Sequence, residues 1–347
     1  VLDLRDLDIL ASDFLISGFD INTKINQLSF KDSRGVALKN LQTEFSYTPS
    51  RMVFSDLHIE TLASLVNGQL QFDYQRKDLK SFSKKVQVSG FFKNSNLDLE
   101  EFSLLYDEFG ANQKVEFSTS FSGTLENLLF EEFNLNNSRN TSIIGNLRIS
   151  KLFASNSDDF ELDGDFEKIS SNYEELVALL PRVLGNSIPS GFRALGRFNM
   201  SGQANITRKY VKAIMDVSTE IGDLFIDLNL DEIELIDNAS YKGQIRLTDF
   251  NLGKAIGDPS IGLVTSSLSI VGSGFSKENV NSNIRGVIDS FVFRDYDYSE
   301  LEVSGFVMNK VFNGQLNTMD ANLRLKFAGL VDFSGAENIY DFSALID

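Results

Sequence analysis

The chain has no cysteine, no tryptophan, one histidine and only four prolines in 347 residues. Without cysteine there can be no disulfide, no thiolate nucleophile and no sulfur metal site. That fits either a reducing compartment or an envelope protein built without disulfides. The lone His58 lies in Met52–Glu60, on the side of Asp56 and Glu60 and opposite Leu57 and Ile59. It reads as a solvated strand residue, and no Ser-His-Asp triad assembles around it. Aspartate and glutamate outnumber lysine and arginine 49 to 32, giving a net charge of −17. No basic run is present to release counterions from phosphates, which argues against nucleic acid and against polybasic adhesion to an anionic bilayer. No stretch approaches the roughly 20 apolar residues of a membrane helix. The chain opens on Val1 without an initiator methionine or a signal peptide and stops in mid-pattern at Asp347, so it reads as a segment of a longer protein.

What is abundant is phenylalanine, 30 residues against 9 tyrosines. Phenylalanine has no polar handle and suits a wholly apolar surface. It falls within a period-two pattern. From Gly196 to Ile206, Phe198, Met200, Gly202, Ala204 and Ile206 alternate with Arg197, Asn199, Ser201, Gln203 and Asn205. Val211, Met215 and Val217 then alternate with polar residues, and so do Leu224, Ile226, Leu228 and Leu230. Alternate side chains of a strand point to opposite faces, so each run predicts a strand with one apolar and one wet face. Short turns between the runs predict antiparallel neighbours. The same pattern covers Leu15/Ser17/Phe19/Ile21, Thr43/Phe45/Tyr47, Val53/Leu57/Ile59, Leu70/Phe72/Tyr74 and, near the end, Leu323/Leu325/Phe327. In 94–106 the phase changes, which predicts a bulge near Glu100-Glu101. Glycines recur inside the strands, among them Gly90, Gly123, Gly202, Gly243, Gly272, Gly305 and Gly329, where they let a sheet bend.

One stretch breaks the pattern. Tyr173, Leu176, Val177, Leu179, Leu180, Val183 and Leu184 recur at helical spacing, with Ser170 or Ser171 as cap and Pro181 ending the regular part. This predicts a single amphipathic helix over 171–184 that covers a sheet edge or mouth. No linker interrupts the strands, so 1–347 reads as one continuous repetitive unit. The expected fold is all-β: an elongated antiparallel meander curled into a U-shaped groove with an apolar interior.

Catalytic signals are missing. Asp158-Asp159…Asp163-Gly164-Asp165 fails the spacing of a calcium loop and reads as a strand with an acidic outer face. Asp295-Tyr-Asp297-Tyr-Ser-Glu300 reads as an acidic turn. Gly272-Ser-Gly274 lacks the lysine and helix of a phosphate loop. Neither an enzyme nor a cofactor or metal site is expected.

Four segments carry a family resemblance: Lys84–Gly90 with Leu97–Phe102; Phe121–Leu128 with Phe133-Asn-Leu; Ile188–Gly202; and Gly243–Gly253 with Asp258–Gly262. In pattern and phrasing they resemble the TamB proteins, the translocation and assembly module proteins of diderm bacterial envelopes, in the wider AsmA-like group. The resemblance implies a β-taco groove spanning the periplasm, held to the inner membrane by an anchor outside this segment. It implies passage of phospholipid acyl chains along the groove and an outer-membrane β-barrel assembly protein as partner. The residues expected to line the groove are Phe198, Met200, Val211, Met215, Val217, Leu224, Ile226, Leu228, Leu230, Leu323, Leu325 and Phe327. Two other readings stand beside it. One is a scaffold that offers sheet edges to nascent outer-membrane strands. The other is a self-closed β-sandwich adhesin or structural array, in which Phe91, Phe102 and Phe306 would meet a second sheet.

Overall fold

The computed structural model describes residues 4–32, 35, 37–103, 110, 112–151, 160–179, 181, 188–275, 279–321, 323–335 and 337–346. About 71% of them are in strands, which make up a 21-stranded antiparallel meander that is not closed into a barrel. The chain divides into two compact units, Val1–Ile169 with Glu175–Gly185, and Ser170–Glu174 with Asn186–Asp347.

The first unit holds β1 (Leu4–Ser17), β2 (Asp20–Asp32), β3 (Ala37–Leu38), β4 (Asn40–Thr48), β5 (Arg51–Glu60) and β6 (Leu65–Asp73). It continues with β7 (Gln87–Asp98), β8 (Lys114–Thr124), β9 (Asn127–Asn137), β10 (Ser142–Ser150) and β11 (Glu161–Asn172), whose last three residues count with the second unit. Alternation carries apolar side chains across the ladder in register. One row runs Phe45, Phe54, Leu70, Gly90, Phe121, Phe130, Leu147 from β4 to β10. Rings meet along and beside it: Phe45–Phe54 at 5.0 Å, Phe92–Phe121 at 5.0 Å and Phe121–Phe130 at 6.2 Å between centroids. Each such pair adds about 0.5–1.5 kcal/mol beyond the area it buries.

Bulges keep these rows in phase. Asp13, Asp56 and Glu132 have φ of 53°, 48° and 51°, and the pairing shifts register beside each. A threonine on the neighbouring strand donates its hydroxyl to the carbonyl just before each one. Thr23 reaches Ser12 O at 2.9 Å, Thr43 reaches Ser55 O at 2.7 Å and Thr119 reaches Glu131 O at 3.0 Å. The extra residue takes its carbonyl out of the ladder, and the hydroxyl replaces the lost partner. Because of the Asp56 bulge, Phe54 and Leu57 lie on one face although three residues apart, while Val53 pairs with Ser46 and Gln71 on the other. Simple alternation over Val53/Leu57/Ile59 therefore misplaces Val53. The bulge expected near Glu100-Glu101 lies instead at Asn94 (φ 46°), and residues 99–103 form a short helix, α2 in chain order after α1 (Phe82–Lys85). Leu15/Ser17/Phe19/Ile21 is likewise two strands, because Gly18-Phe19 is the β1–β2 turn.

The second unit holds β12 (Arg197–Thr207), β13 (Tyr210–Thr219), β14 (Gly222–Asp231), β15 (Ser240–Asn251) and β16 (Ile261–Ser273). After them come β17 (Asn281–Phe293), β18 (Tyr296–Met308), β19 (Val311–Asp320), β20 (Leu323–Asp332) and β21 (Ile339–Ile346). Two hairpins close on Arg294-Asp295 and Asn309-Lys310, both residues of each pair at positive φ, as type I′ turns require. The second of these anchors the register in which Gly305 faces Gly314. Gly202, at φ +133°, brings β12 so close to β13 that a Cβ there would lie 2.2 Å from Ile214 O. A strand interior that only glycine can occupy marks a bend.

The helix expected over 171–184 is shorter at its start. β11 runs through Asn172, so Ser170 and Ser171 are strand residues, and α3 spans Tyr173–Leu179. It ends two residues before Pro181; Leu180, Val183 and Leu184 lie outside the described residues, as do Asp158 and Asp159 of the acidic run. Nor is it the one helix: besides α1 and α2 there is α4 (Leu252–Ile256), with short 3-10 segments at Asp78–Ser81, Ser190–Leu195 and Ile233–Asn238. These are one or two turns long, too short to leave a helical period in the sequence.

Candidate functional site: the apolar face of the second unit

Ten strands, β12 to β21, pair without a break in the second unit, and their apolar side chains stand in transverse rows. Met200 pairs with Val217, Val217 with Leu224, and Leu224 with Leu247. That row passes through Ser266, Ile288, Leu301 and Thr318 to Leu325 and Ile346. The next row runs Gly202, Met215, Ile226, Ile245, Leu268 on β12–β16. It goes on through Gly286, Val303 and Leu316 to Phe327 and Ala344. Leu228 stands opposite Ala213, and Val211 opposite Leu230, in the two rows beyond.

All twelve residues nominated from the sequence therefore share one face of this ladder. Phe198 and Met200 lie on β12, Val211, Met215 and Val217 on β13, Leu224 to Leu230 on β14, and Leu323, Leu325 and Phe327 on β20. They are not equally accessible. Phe198 (1% exposed), Val217 (2%), Met215 (4%), Val211 (6%), Leu230 (7%) and Leu228 (8%) are buried, whereas Met200, Leu224, Ile226, Leu323, Leu325 and Phe327 are half-buried.

Two connections cover part of this face. The segment Ser190–Leu195 starts at the β14–β15 connection, where Ser190 N–H donates to Asp237 Oδ1 at 2.8 Å. It ends at the opposite rim, at the β13–β14 connection, where Glu220 N–H donates to Leu195 O at 3.3 Å. Between these ends it packs beside α4, and Gly191 lies close to Phe275 O. Its Phe192 ring meets Phe198 edge-on at 6.3 Å, so it lies on the apolar side, and Leu195 is buried. The Ile233–Asn238 turn folds over the same strip, Ile233 and Ile236 packing on Val211, Leu230 and Tyr241. On β15–β20 the cover is mixed: Ile245, Leu268, Ile284 and Leu316 are half-buried, whereas Leu301 and Val303 of the same rows are buried. The signal for Phe192 and Leu195 was a pair of apolar residues three apart just after Pro189, which period-two reading passes over.

The face is not wholly apolar at its margin. Leu323 stands opposite Asp320, a buried carboxylate that accepts from Tyr296 Oη at 2.6 Å and from Ser299 N and Oγ at 3.1 and 3.0 Å. The opposite face of the sheet is wet. There Arg246 covers the Phe225 ring at 4.2 Å, and in the first unit Lys93 covers Phe91 at 4.8 Å. Cations shield these outward rings, which a second sheet would otherwise have to cover. Nothing is described of the Phe102 side chain, and Phe306 is half-buried on the wet face beside Asn283 and Asn313.

Chemistry-bearing groups are dispersed. His58 Nδ1 lies 2.8 Å from Asn67 Oδ1, half-buried in the first unit. Glu101 ties the β5–β6 turn: burial pushes its carboxyl up, but hydrogen bonds from Ser64, Thr61 and the Ala63 N–H outweigh it and hold the group below the usual glutamate value. Burial raises the Tyr241 phenol. Among the described residues no cluster of His, Cys, Asp or Glu could hold a metal, and no helix is long and apolar enough to cross a membrane. Comparison with protein families, with curated proteins and with solved structures gives no match for this chain.

Proposed function

We propose that this chain is a non-catalytic carrier that holds phospholipid acyl chains along its apolar sheet face, as part of a periplasmic bridge between the inner and outer membranes. The carrying observation is the in-register apolar face of β12–β21, backed by a wet face, on which Ile245, Leu268, Ile284, Leu316, Leu325 and Phe327 remain half-buried. Ten strands at about 4.8 Å extend roughly 43 Å, long enough for an acyl chain laid across them. Burying about 16 methylenes at about 0.8 kcal/mol each gives an upper bound near 13 kcal/mol, which offsets the cost of leaving a bilayer. A face whose polar groups, such as Asp320, stand at its margin and are already hydrogen-bonded lets a chain slide along the apolar rows. An inner-membrane anchor outside this segment and an outer-membrane barrel partner belong to the same reading and rest on the sequence resemblance alone.

A second reading, a scaffold that adds strands at its edge, draws on β21. It pairs with β20 on one side, and its Ile339, Tyr340, Phe342, Leu345 and Ile346 are exposed. Native mass spectrometry on the purified chain separates the two. A carrier co-purifies with phospholipid, and Ile226→Asp, which places a charge in the middle of the face, lowers lipid occupancy several-fold with the circular dichroism spectrum unchanged. Lipid-free wild-type protein, or full occupancy in Ile226→Asp, overturns the carrier reading.

A further inference from the structure

The acidic run Asp295-Tyr-Asp297-Tyr-Ser-Glu300 belongs to an aromatic block at the margin of the apolar face. Around the Arg294-Asp295 turn, Phe291 pairs with Tyr298 and Phe293 with Tyr296, so four rings stand two by two at the end of β17 and β18. They lie on the apolar side. Phe291 is opposite Val264, and Val264 opposite Phe250, both buried on that face. Tyr298 and Leu301 share the face although three residues apart, because Glu300, at φ 53°, repeats the bulge of the first unit: Thr318 Oγ1 donates to Ser299 O at 2.7 Å. Tyr296 reaches Asp320, which stands opposite Leu323. All four rings are half-buried. Phe291 and Phe293 stack at 6.2 Å, and Tyr296 meets Tyr298 edge-on at 4.6 Å between centroids.

Two features of this block suit a cation. An aromatic face attracts a positive charge within about 6 Å of its centre. Phe293 already carries one, since Arg294 Cζ lies 5.4 Å from its centroid. The surroundings are also anionic: Asp295, Asp297 and Glu300 lie in the hairpin, and Asp320 is buried beside it. Tyr296 Oη donates to Asp320 Oδ1 at 2.6 Å, a charge-assisted bond that leaves more electron density on the ring. Arg294 is the one cation of 294–300 and, among the described residues, makes no ion pair, so its guanidinium is open to an anion.

We propose that this block is a headgroup station for a zwitterionic phospholipid. The rings, Tyr298 above all, take the alkylammonium; Arg294 takes the phosphate; the acyl chains pass onto the adjoining rows through Ile288 and Leu301. The proposal rests on the acyl-carrier reading. Tyrosine suits a place where an apolar face meets water, because its ring is apolar and its tip polar. Charge complementarity chooses the ligand: a phosphate alone would meet Arg294 amid carboxylates, whereas a zwitterion matches both signs.

Dioctanoylphosphatidylcholine and dioctanoylphosphatidylglycerol share their chains and phosphate, and only the first carries an ammonium. Each is titrated, below its micelle concentration, into the purified chain and followed by native mass spectrometry. Tyr298→Leu should weaken phosphatidylcholine binding about three- to tenfold, the worth of one cation–π contact. It should leave phosphatidylglycerol binding unchanged, which also shows that the variant is folded. Tyr298→Phe keeps the ring and should keep the native affinity for both. Arg294→Gln, on the exposed turn, should weaken both lipids, because the phosphate is common to them. No loss in Tyr298→Leu, or an equal loss of both lipids, overturns the headgroup station while acyl binding stands. Unchanged binding in Arg294→Gln removes the phosphate contact and overturns the zwitterionic ligand. If neither lipid binds the native chain, it is the carrier reading that fails.

Discussion

Gly202→Ala tests whether the sheet bends where its backbones crowd. Gly202 sits on the apolar face of β12, opposite Met215, at φ +133°. An alanine Cβ would lie 2.2 Å from Ile214 O and 3.0 Å from Met215 Cα. Holding a residue with a side chain at such a dihedral costs about 1–3 kcal/mol. Pushing β13 aside to clear the contact adds about 1–3 kcal/mol, as for other overpacked sites. The expected destabilisation is thus about 2–6 kcal/mol, and it should be local. The assay is urea unfolding followed by far-ultraviolet circular dichroism, with hydrogen exchange of the β12 and β13 amides. Gln203→Ala, one residue on and exposed, is the control and should stay within about 0.5 kcal/mol of the parent. If Gly202→Ala behaves like that control, the strand is flat there and the close approach of β12 to β13 is wrong.

Thr43→Val should cost about 1–3 kcal/mol, because it leaves the Ser55 carbonyl without its 2.7 Å donor, while Thr43→Ser should recover most of the loss. Equal stability of the valine and serine variants in urea would show that the bulge at Asp56 does not depend on the hydroxyl. Glu101 gives a pH dependence with a defined sign. Its folded carboxyl is held below the ordinary value, so the stability it contributes is present above about pH 4.3 and is lost as pH falls through the lower folded value. Glu101→Gln should therefore flatten the acid limb of a stability–pH curve in the first unit, and an unchanged limb counts against the Thr61–Ser64–Glu101 tie.

Much of this molecule can be read from single residues and their spacing. A side chain's face on a strand is set by local backbone geometry, so Phe198/Met200 and Leu224/Ile226/Leu228/Leu230 could be assigned to a common apolar face without coordinates. Charge, the lack of cysteine and short turns are likewise properties of the chain in order, and they define an acidic, all-β meander. Bulges are not local in that sense. Nothing within Asp56 or Asn94 announces positive φ, because the Asp56 bulge depends on Thr43 across the ladder and the Asn94 bulge on how β7 registers against β6 and β8. Accessibility is less local still. Val217 and Leu325 have the same pattern in sequence and pair into one row, yet the first is 2% exposed and the second half-buried. The cover over Phe198, Val211 and Leu230 comes from where Ser190–Leu195 and Ile233–Asn238 come to rest, and those positions hang on contacts between residues tens of positions apart: Ser190 with Asp237, Leu195 with Glu220. Alternation determines the face a side chain takes; only packing between distant segments determines what lies over it.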